Sequence, residues 1–187
     1  MRRRCTAVAL LAFAGLAAAA GAVELEAGQP APRFTAKTQD GTDFDLASRA
    51  GQWTVLYFFP KAGTPGCTKE ARGFRDSIAL IRDQGADVFG ISTDTVEAQA
   101  AFHKEQELVF TLLADPDGAV TEQYGARMPI VTMAKRWTFI IDPTLTVRLV
   151  ERDVDPALDA QRVAGEIAHL KETSATPAAA AQETPAN

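Results

Sequence analysis

The residues WTVLYFFPKAGTPGCTKEARGFRD, at positions 53–76, decide the fold of this chain. Residues 53–59 are apolar, β-branched or aromatic, which predicts a buried strand that ends at Pro60. Thr64, followed directly by a second proline, is typical of a helix start and is able to cap the helix. Apolar residues then recur at helical spacing and predict one buried stripe: Cys67, Ala71, Phe74, Ile78 and Ile81.

A single cysteine, Cys67, therefore lies where a buried strand is followed by the first turn of a helix. Unpaired backbone N–H groups and the positive end of the helix dipole favour the thiolate, which is the nucleophilic form of the side chain. A free cysteine is more commonly a small buried hydrophobic residue. Its position alone leaves both interpretations open.

The sequence of this stretch resembles that of one protein family. Pro60, Thr64 and Cys67 reproduce the P-x-x-x-T-x-x-C signature of peroxiredoxins, and YFFPKAGTPGCTKEARGFRD resembles the bacterioferritin-comigratory (PrxQ) branch. The similarity runs from about residue 28 to residue 170 and includes GISTD at 90–94, LLADPDG at 112–118 and WTFIIDP at 137–143. The resemblance implies that the cysteine attacks a peroxide O–O bond and becomes a sulfenic acid.

The same resemblance implies roles for three further residues. Thr64 would orient the peroxide through its hydroxyl, Pro60 would shield the thiolate from water, and Arg136 would stabilise the thiolate and the departing oxygen. Fixed donors aimed at that oxygen, the Arg136 guanidinium and the Cys67 backbone N–H, contribute on the order of 3 kcal/mol each. Arg136 comes from the resemblance because it precedes the strand predicted at 137–142. Spacing alone does not separate it from Lys61, Arg72, Arg75 or Arg127.

The chain departs from the family pattern in one respect. Relatives with a resolving cysteine in this helix carry it five residues after the first cysteine, where this chain has Arg72, and the only other cysteine is Cys5. We therefore predict a one-cysteine thiol peroxidase for hydrogen peroxide and organic hydroperoxides. Its reductant would be a thioredoxin-like protein or a small thiol. Two alternatives remain open: a thiol–disulfide oxidoreductase, although that chemistry normally uses C-x-x-C, and a non-enzymatic thioredoxin-fold protein that binds a partner or senses redox state through Cys67.

The N-terminal residues predict export. Three arginines at 2–4, an apolar run at 7–20 and small residues at 20–22 form a secretory signal, which we expect to be cleaved after Ala22, with Ala20 as the alternative site. The run is too short and too rich in alanine to be a good membrane span, so a retained anchor is the less favoured alternative. The predicted location is periplasmic or secreted.

Removing that signal leaves 16 of the 19 basic residues against 24 acidic ones, a net charge of −8. An acidic chain without a basic run argues against nucleic acid or an anionic membrane as a partner. One cysteine remains, so no internal disulfide forms. No His/Cys cluster has metal-ligand spacing, and we predict neither metal nor cofactor. We expect a monomer or a weak homodimer.

The predicted fold class is α/β, with a mixed central sheet flanked by helices. Residues 23–171 are predicted to form one domain. It begins with a hairpin whose turn is at 40–41 and ends with a second hairpin, which is followed by a helix over 156–171. Residues 172–187 are rich in Ala, Thr, Pro and Glu, and are predicted to be a disordered tail. The resemblance identifies the domain as a thioredoxin fold with the peroxiredoxin N-terminal hairpin. The apolar stretch 128–133 is interpreted as local packing, or else as a rim that favours organic hydroperoxides.

Overall fold

The computed structural model describes residues 25–175. The predicted signal segment 1–22, Cys5 and the last twelve residues of the predicted tail, 176–187, lie outside the described residues. Over residues 25–175, no helix is long and apolar enough to cross a bilayer.

Seven strands and four α-helices make up the described domain. The strands are β1 Thr35–Thr38, β2 Asp43–Asp45, β3 Trp53–Phe58, β4 Ala86–Ser92, β5 Thr111–Ala114, β6 Trp137–Ile141 and β7 Val147–Glu151. The helices are α1 Pro65–Asp83, α2 Val96–Glu105, α3 Ala119–Gln123 and α4 Asp159–Ala175, with a short 3₁₀ helix over Leu46–Arg49.

The strands form one mixed sheet in the order β2-β1-β5-β4-β3-β6-β7. Strands β5, β4 and β3 are parallel, whereas the β1–β2 and β6–β7 hairpins and the β3–β6 pair are antiparallel. This arrangement confirms the predicted α/β class, the N-terminal hairpin and the closing hairpin. All six residues of β3 are buried, because both faces of the sheet are covered.

The two faces have separate hydrophobic clusters. On one face, Val55, Tyr57 and Cys67 pack with apolar residues of α1, α2 and α4. On the other face, Leu56 and Phe58 pack with residues of the 3₁₀ helix, α3 and the N-terminal segment. The alternation along β3 thus places the cysteine and the first of these clusters on the same side of the sheet.

Helix α1 packs on the ring of Tyr57. This ring stacks on Phe74 of α1 at 4.6 Å and on Phe59 at 5.5 Å between ring centroids. The partner of Tyr57 in the register with β4 is Gly90, where an added Cβ would lie only 2.6 Å from the Tyr57 ring. Glycine at this position is therefore what allows a large aromatic side chain to lie beneath the cysteine-bearing helix.

The predicted end of the last helix is wrong by four residues. Helix α4 continues from the predicted last residue, Lys171, to Ala175. In this last turn the hydroxyls of Thr173 and Ser174 donate to the carbonyl oxygen of Leu170 at 3.1 and 2.7 Å. These hydroxyls bond back to the preceding turn, so Thr173 and Ser174 are part of the helix although their stretch has the composition of a tail.

Candidate active site

Cys67 lies at the edge of the sheet where the parallel strands end. The chain leaves β3 at Phe58 and turns back into α1, whose first turn contains the thiol. The connecting loop is held by Asp94, whose carboxylate accepts the Ala62 N–H at 2.8 Å and the Ser92 hydroxyl at 2.7 Å. As a result Cys67 is 1% exposed and fixed in position, although it belongs to a helix start.

Thr64 precedes the helix as predicted, but its side chain does not cap it. The Thr64 hydroxyl donates to the carbonyl oxygen of Lys61 at 3.0 Å, and no side-chain bond to the first helical turn forms. The predicted capping role is therefore wrong: the hydroxyl donates into the loop, and no N–H of the first turn donates to its oxygen. The Thr64 backbone oxygen instead accepts the Thr68 N–H at 2.8 Å and begins the helical hydrogen-bond pattern.

Arg136 is the cation that reaches the thiol. Strand β6 pairs with β3 so that Trp137 lies opposite Phe58. Arg136, one residue before this pair, therefore leaves the sheet at the edge where Cys67 lies. Its Nη2 donates to the Cys67 Sγ at 3.4 Å, while its Nη1 donates to the Glu70 carboxylate.

The other cations that spacing left open have different partners or positions. Arg72 and Arg75 bond to Gln106. Arg127 pairs with Glu122 at 2.8 Å, and Lys61 is exposed. Within residues 25–175, Arg136 is thus the only side chain that donates a hydrogen bond to the Cys67 sulfur.

Glu70 is a site residue that the sequence analysis missed. Its side chain is fully buried behind Arg136, and its Oε1 has no hydrogen-bond partner. Burial raises the pKa of Glu70 to about 8, although the Arg136 charge and hydrogen bond act in the opposite direction. Its position gives the signal that was overlooked: a carboxylate three residues after Cys67 lies on the buried stripe of α1 and needs a partner there.

The Arg136 guanidinium is shared between the two acidic groups. Burial lowers the pKa of Arg136, but the charge of Glu70 and the hydrogen bond and charge of Cys67 outweigh burial and raise it. Arg136 therefore remains a cation, and it directs one nitrogen at the sulfur because another is held by Glu70.

The structure also gives the positions of Pro60 and of the two histidines. Pro60 is half-buried directly after the end of the buried run from β3. His103 is half-buried with its Nε2 3.1 Å from the carbonyl oxygen of Phe110, and His169 is exposed on α4. Both histidines thus lie on helices. Over the described range, no group of three or more His, Cys, Asp or Glu side chains is placed to hold a metal ion.

The apolar stretch 128–133 is not packed beneath the domain. Met128 donates its N–H to the Met133 carbonyl at 2.9 Å and closes a tight turn, while Ile130 is 95% exposed. The Thr93 hydroxyl donates to the Thr132 carbonyl at 2.7 Å and ties this turn to the end of β4. Local packing is therefore the wrong interpretation for the tip of the turn.

Comparisons with known proteins agree with this geometry. The AhpC/TSA family model matches residues 27–150. A putative peroxiredoxin Bcp of Coxiella burnetii is 43% identical over 126 residues, which cover 64% of this chain and 83% of that protein. Peroxiredoxin Bcp of Escherichia coli K12 is 46% identical over 101 residues, 54% of this chain and 65% of that protein. The crystal structure of peroxidoxin BcpB from Mycobacterium tuberculosis superposes with a TM-score of 0.75 at 32% identity, covering 79% of this chain and 99% of that one.

Fold and site define a thioredoxin-fold protein with a buried thiol held by an arginine at the end of a parallel strand. The chain belongs to the AhpC/TSA family. Within it, the relatives confirm the predicted resemblance to the Bcp and PrxQ peroxiredoxins, which are thiol-dependent peroxidases.

The burial of Glu70 generates a pH prediction. Because its pKa is about 8 in the fold against an ordinary 4.5, the folded state holds this proton more tightly than the unfolded chain. Its stabilising contribution is complete below about pH 4.5 and is lost as the pH rises through about 8. Relative to Glu70→Gln, the wild-type protein should therefore lose on the order of a few kcal/mol of unfolding free energy over that range.

Urea unfolding of reduced protein at about pH 5 and about pH 8.5 measures this difference. Asp115, whose pKa burial also raises, is present in both proteins and cancels in the comparison. Asp159 is part of the effect measured, because its negative charge also raises the pKa of Glu70. Glu105→Gln, at an exposed position on α2, is the control for loss of a carboxylate. An identical pH dependence in wild type and Glu70→Gln means that Glu70 is not buried as a neutral acid.

Proposed function

We propose that this protein reduces hydrogen peroxide and organic hydroperoxides through a sulfenic acid on Cys67, in a one-cysteine cycle completed by an external thiol. The observation that carries the proposal is the 3.4 Å contact from Arg136 Nη2 to the Cys67 sulfur in a buried site. A structural cysteine in an apolar core needs no such donor, whereas a thiolate nucleophile does.

The first step follows from this arrangement. The Cys67 thiolate attacks one peroxide oxygen and the O–O bond breaks, so that sulfur is oxidised to a sulfenic acid and the other oxygen leaves as water or alcohol once protonated. Negative charge moves from the sulfur to the leaving oxygen. Arg136 lies beside the sulfur at the start of this movement, and its fixed guanidinium supports the charge as it develops.

Thr64 and Pro60 are proposed to prepare the peroxide for attack. The Thr64 hydroxyl lies at the N-cap of the cysteine helix and is not consumed by capping, since its bond is to the Lys61 carbonyl. As a donor to that carbonyl, it can accept a hydrogen bond from a peroxide O–H. Pro60 has no N–H that would draw water to the loop. Both roles come from the family resemblance and stand as proposals.

The second half of the cycle needs a thiol from outside the chain. Among residues 25–175, Cys67 is the only cysteine, and position 72 is an arginine. This favours the peroxidase over a thiol–disulfide oxidoreductase, which exchanges electrons through a pair of thiols. A non-enzymatic redox sensor remains the second candidate, because a sulfenic acid formed on Cys67 also serves as a signal.

Replacing the nucleophile tests the assignment. Cys67→Ser in the chain from residue 23 should abolish peroxide consumption with a small thiol as reductant, because a serine hydroxyl is far less ionised near neutral pH. Its unfolding free energy should change little, since the side chains are similar in size. A variant that keeps most of the activity contradicts the enzyme assignment.

Intact-mass spectrometry of the wild-type sample completes that experiment. After one equivalent of peroxide, in the presence of a sulfenic-acid trap, it should show one adduct per chain. Overoxidation to the sulfinic acid should appear when the trap and the reductant are scarce. A rapid dimer linked through two Cys67 residues, with no adduct, indicates instead that a second subunit resolves the sulfenic acid.

The role of Arg136 gives a rate prediction. Arg136→Met should slow the reaction with peroxide by roughly 10²-fold or more, the effect of losing one preorganised donor. Arg127→Met is the matched control, because Arg127 pairs with Glu122 on the surface and should leave the rate unchanged. Stopped-flow measurement of sulfenic acid formation at several pH values gives both rates. Equal rates for all three proteins mean that Arg136 holds the thiol without taking part in the reaction.

We further propose that the chain is exported and cleaved after Ala22, on the basis of its three arginines and the apolar run that follows. Expression of residues 1–187 in a Gram-negative host should give a periplasmic product whose intact mass begins at Val23. A full-length product confined to the cytosol contradicts export. Light scattering on the purified product should give a monomer or a weak homodimer.

A further inference from the structure

Two arginines fasten the cysteine-bearing half of α1 to the end of α2. Arg72 Nε donates to the side-chain Oε1 of Gln106 at 2.8 Å, and Arg75 Nη1 donates to its backbone oxygen at 2.8 Å. Gln106 is itself buried, with 3% exposed, and is the C-cap of α2. The two arginines and Gln106 together are called the clamp. The arginines lie one to two turns after Cys67 on α1.

The clamp acts on the part of the helix that would have to open if the sulfur were to leave its pocket. Positions 67 and 72 are separated by roughly 7.5 Å of rise in an intact helix, which exceeds the usual Cα separation of a disulfide. A thiol at position 72 would therefore need an unwound helix in order to react with Cys67. Arg72 has the reverse effect, because its bond to Gln106 is lost when α1 unwinds.

We propose that this clamp keeps α1 folded throughout the cycle, and that Cys67 is recycled inside the folded site by a small anionic thiol rather than by a protein thiol. The inference rests on the proposed peroxidase function. Cys67 is 1% exposed, and Arg136 is hydrogen-bonded both to Glu70 and to the Cys67 sulfur. A protein dithiol needs the sulfur presented at the surface, whereas a small thiol is closer in size to the peroxide that the site must admit.

The charge around the site selects an anion. Lys61 and Lys69 are exposed on either side of Cys67 in sequence, and neither forms an ion pair within the described residues. Of the carboxylates beside this loop and first turn, Glu70 is bonded to Arg136, whereas Asp94 keeps its charge because its donors, the Ala62 N–H and the Ser92 hydroxyl, are neutral. Lys61, Lys69 and Arg136 still outnumber these two carboxylates, so the surroundings of Cys67 are positive on a chain of net charge −8 from residue 23 onward and attract a negatively charged thiol.

The recycling chemistry consumes two such thiols. The sulfur of the first attacks the sulfenic sulfur of Cys67, an S–S bond forms, and the hydroxyl leaves as water with the proton of the thiol. The second attacks the sulfur of the small thiol in this mixed disulfide, and Cys67 leaves as the thiolate. The sulfenic acid is reduced, the two small thiols are oxidised to one disulfide, and α1 stays folded in both steps.

The test compares three reductants on the chain from residue 23, after stoichiometric conversion to the sulfenic acid. Glutathione is the anionic probe, and glutathione diethyl ester has the same thiol with a net positive charge. Reduced thioredoxin is the protein dithiol. Glutathione should react several-fold faster than its ester at low salt, and the difference should shrink at high salt because the charges are exposed. Thioredoxin should be the slowest.

Three variants test the clamp itself. Arg72→Ala and Arg72→Ala/Arg75→Ala should each raise hydrogen exchange over residues 65–75 and the rate with thioredoxin, by about tenfold per arginine, as expected for loss of about 1.4 kcal/mol per charge-assisted hydrogen bond. At high salt, which screens the effect of the lost arginine charges, their rates with glutathione should not change. Arg82→Ala is the control, since Arg82 bonds the far end of α1 to the Val109 carbonyl at 2.7 Å and should alter neither rate.

The outcomes separate the two proposals. If no sulfenic acid forms on addition of peroxide, the proposed function itself is wrong. If it forms, and thioredoxin reduces the wild-type protein as fast as glutathione does, Cys67 is accessible to a protein thiol and the inference is overturned. It is also overturned if the single and double variants exchange hydrogen over residues 65–75 at the wild-type rate, because the arginines would then not hold the helix.

Discussion

The site depends on one half-buried cation shared by two acidic side chains. Arg136 holds the Glu70 carboxylate through one nitrogen and the Cys67 sulfur through another. A guanidinium has a planar fork of donors, so it can satisfy both without moving, which a lysine could not. Burial raises the pKa of Glu70 to about 8, because the cost of desolvating its charge outweighs the opposing effect of Arg136.

The sheet supplies the precision that this arrangement needs. Register places Trp137 opposite Phe58, so that Arg136 and the loop that leads to Cys67 leave at the same edge. Below them Tyr57 supports α1, and it can do so only because Gly90 leaves room for its ring. A shift of one residue in either pairing would turn the arginine or the ring to the other face. The thiol is thus positioned by strand pairing more than by its own helix.

Much of the fold could be predicted from the sequence, because strands and helices each bury side chains at a fixed residue spacing. The apolar run of β3, the helical stripe of α1 and both hairpins follow from residue type and spacing, and the strand at Trp137–Ile141 has its predicted first residue. Arg136 required the family resemblance, because five basic residues were possible until β3 and β6 were known to pair. The sulfur contact itself is a tertiary fact that no local pattern contains.

The two errors at the site have different physical causes. Thr64 has the residue type of a helix cap, but whether an N–H of the first turn donates to its hydroxyl depends on the folded loop, in which that hydroxyl donates to the Lys61 carbonyl at 3.0 Å. Glu70 has the residue type of a solvated helix surface, yet it lies on the buried stripe because Arg136 arrives from a strand 66 residues away. Glu70 thus has a partner outside the local pattern that sequence analysis reads, whereas the partner of Thr64 is only three residues away. Polar residues on an apolar stripe are therefore the positions where a sequence prediction should look for a partner in another element.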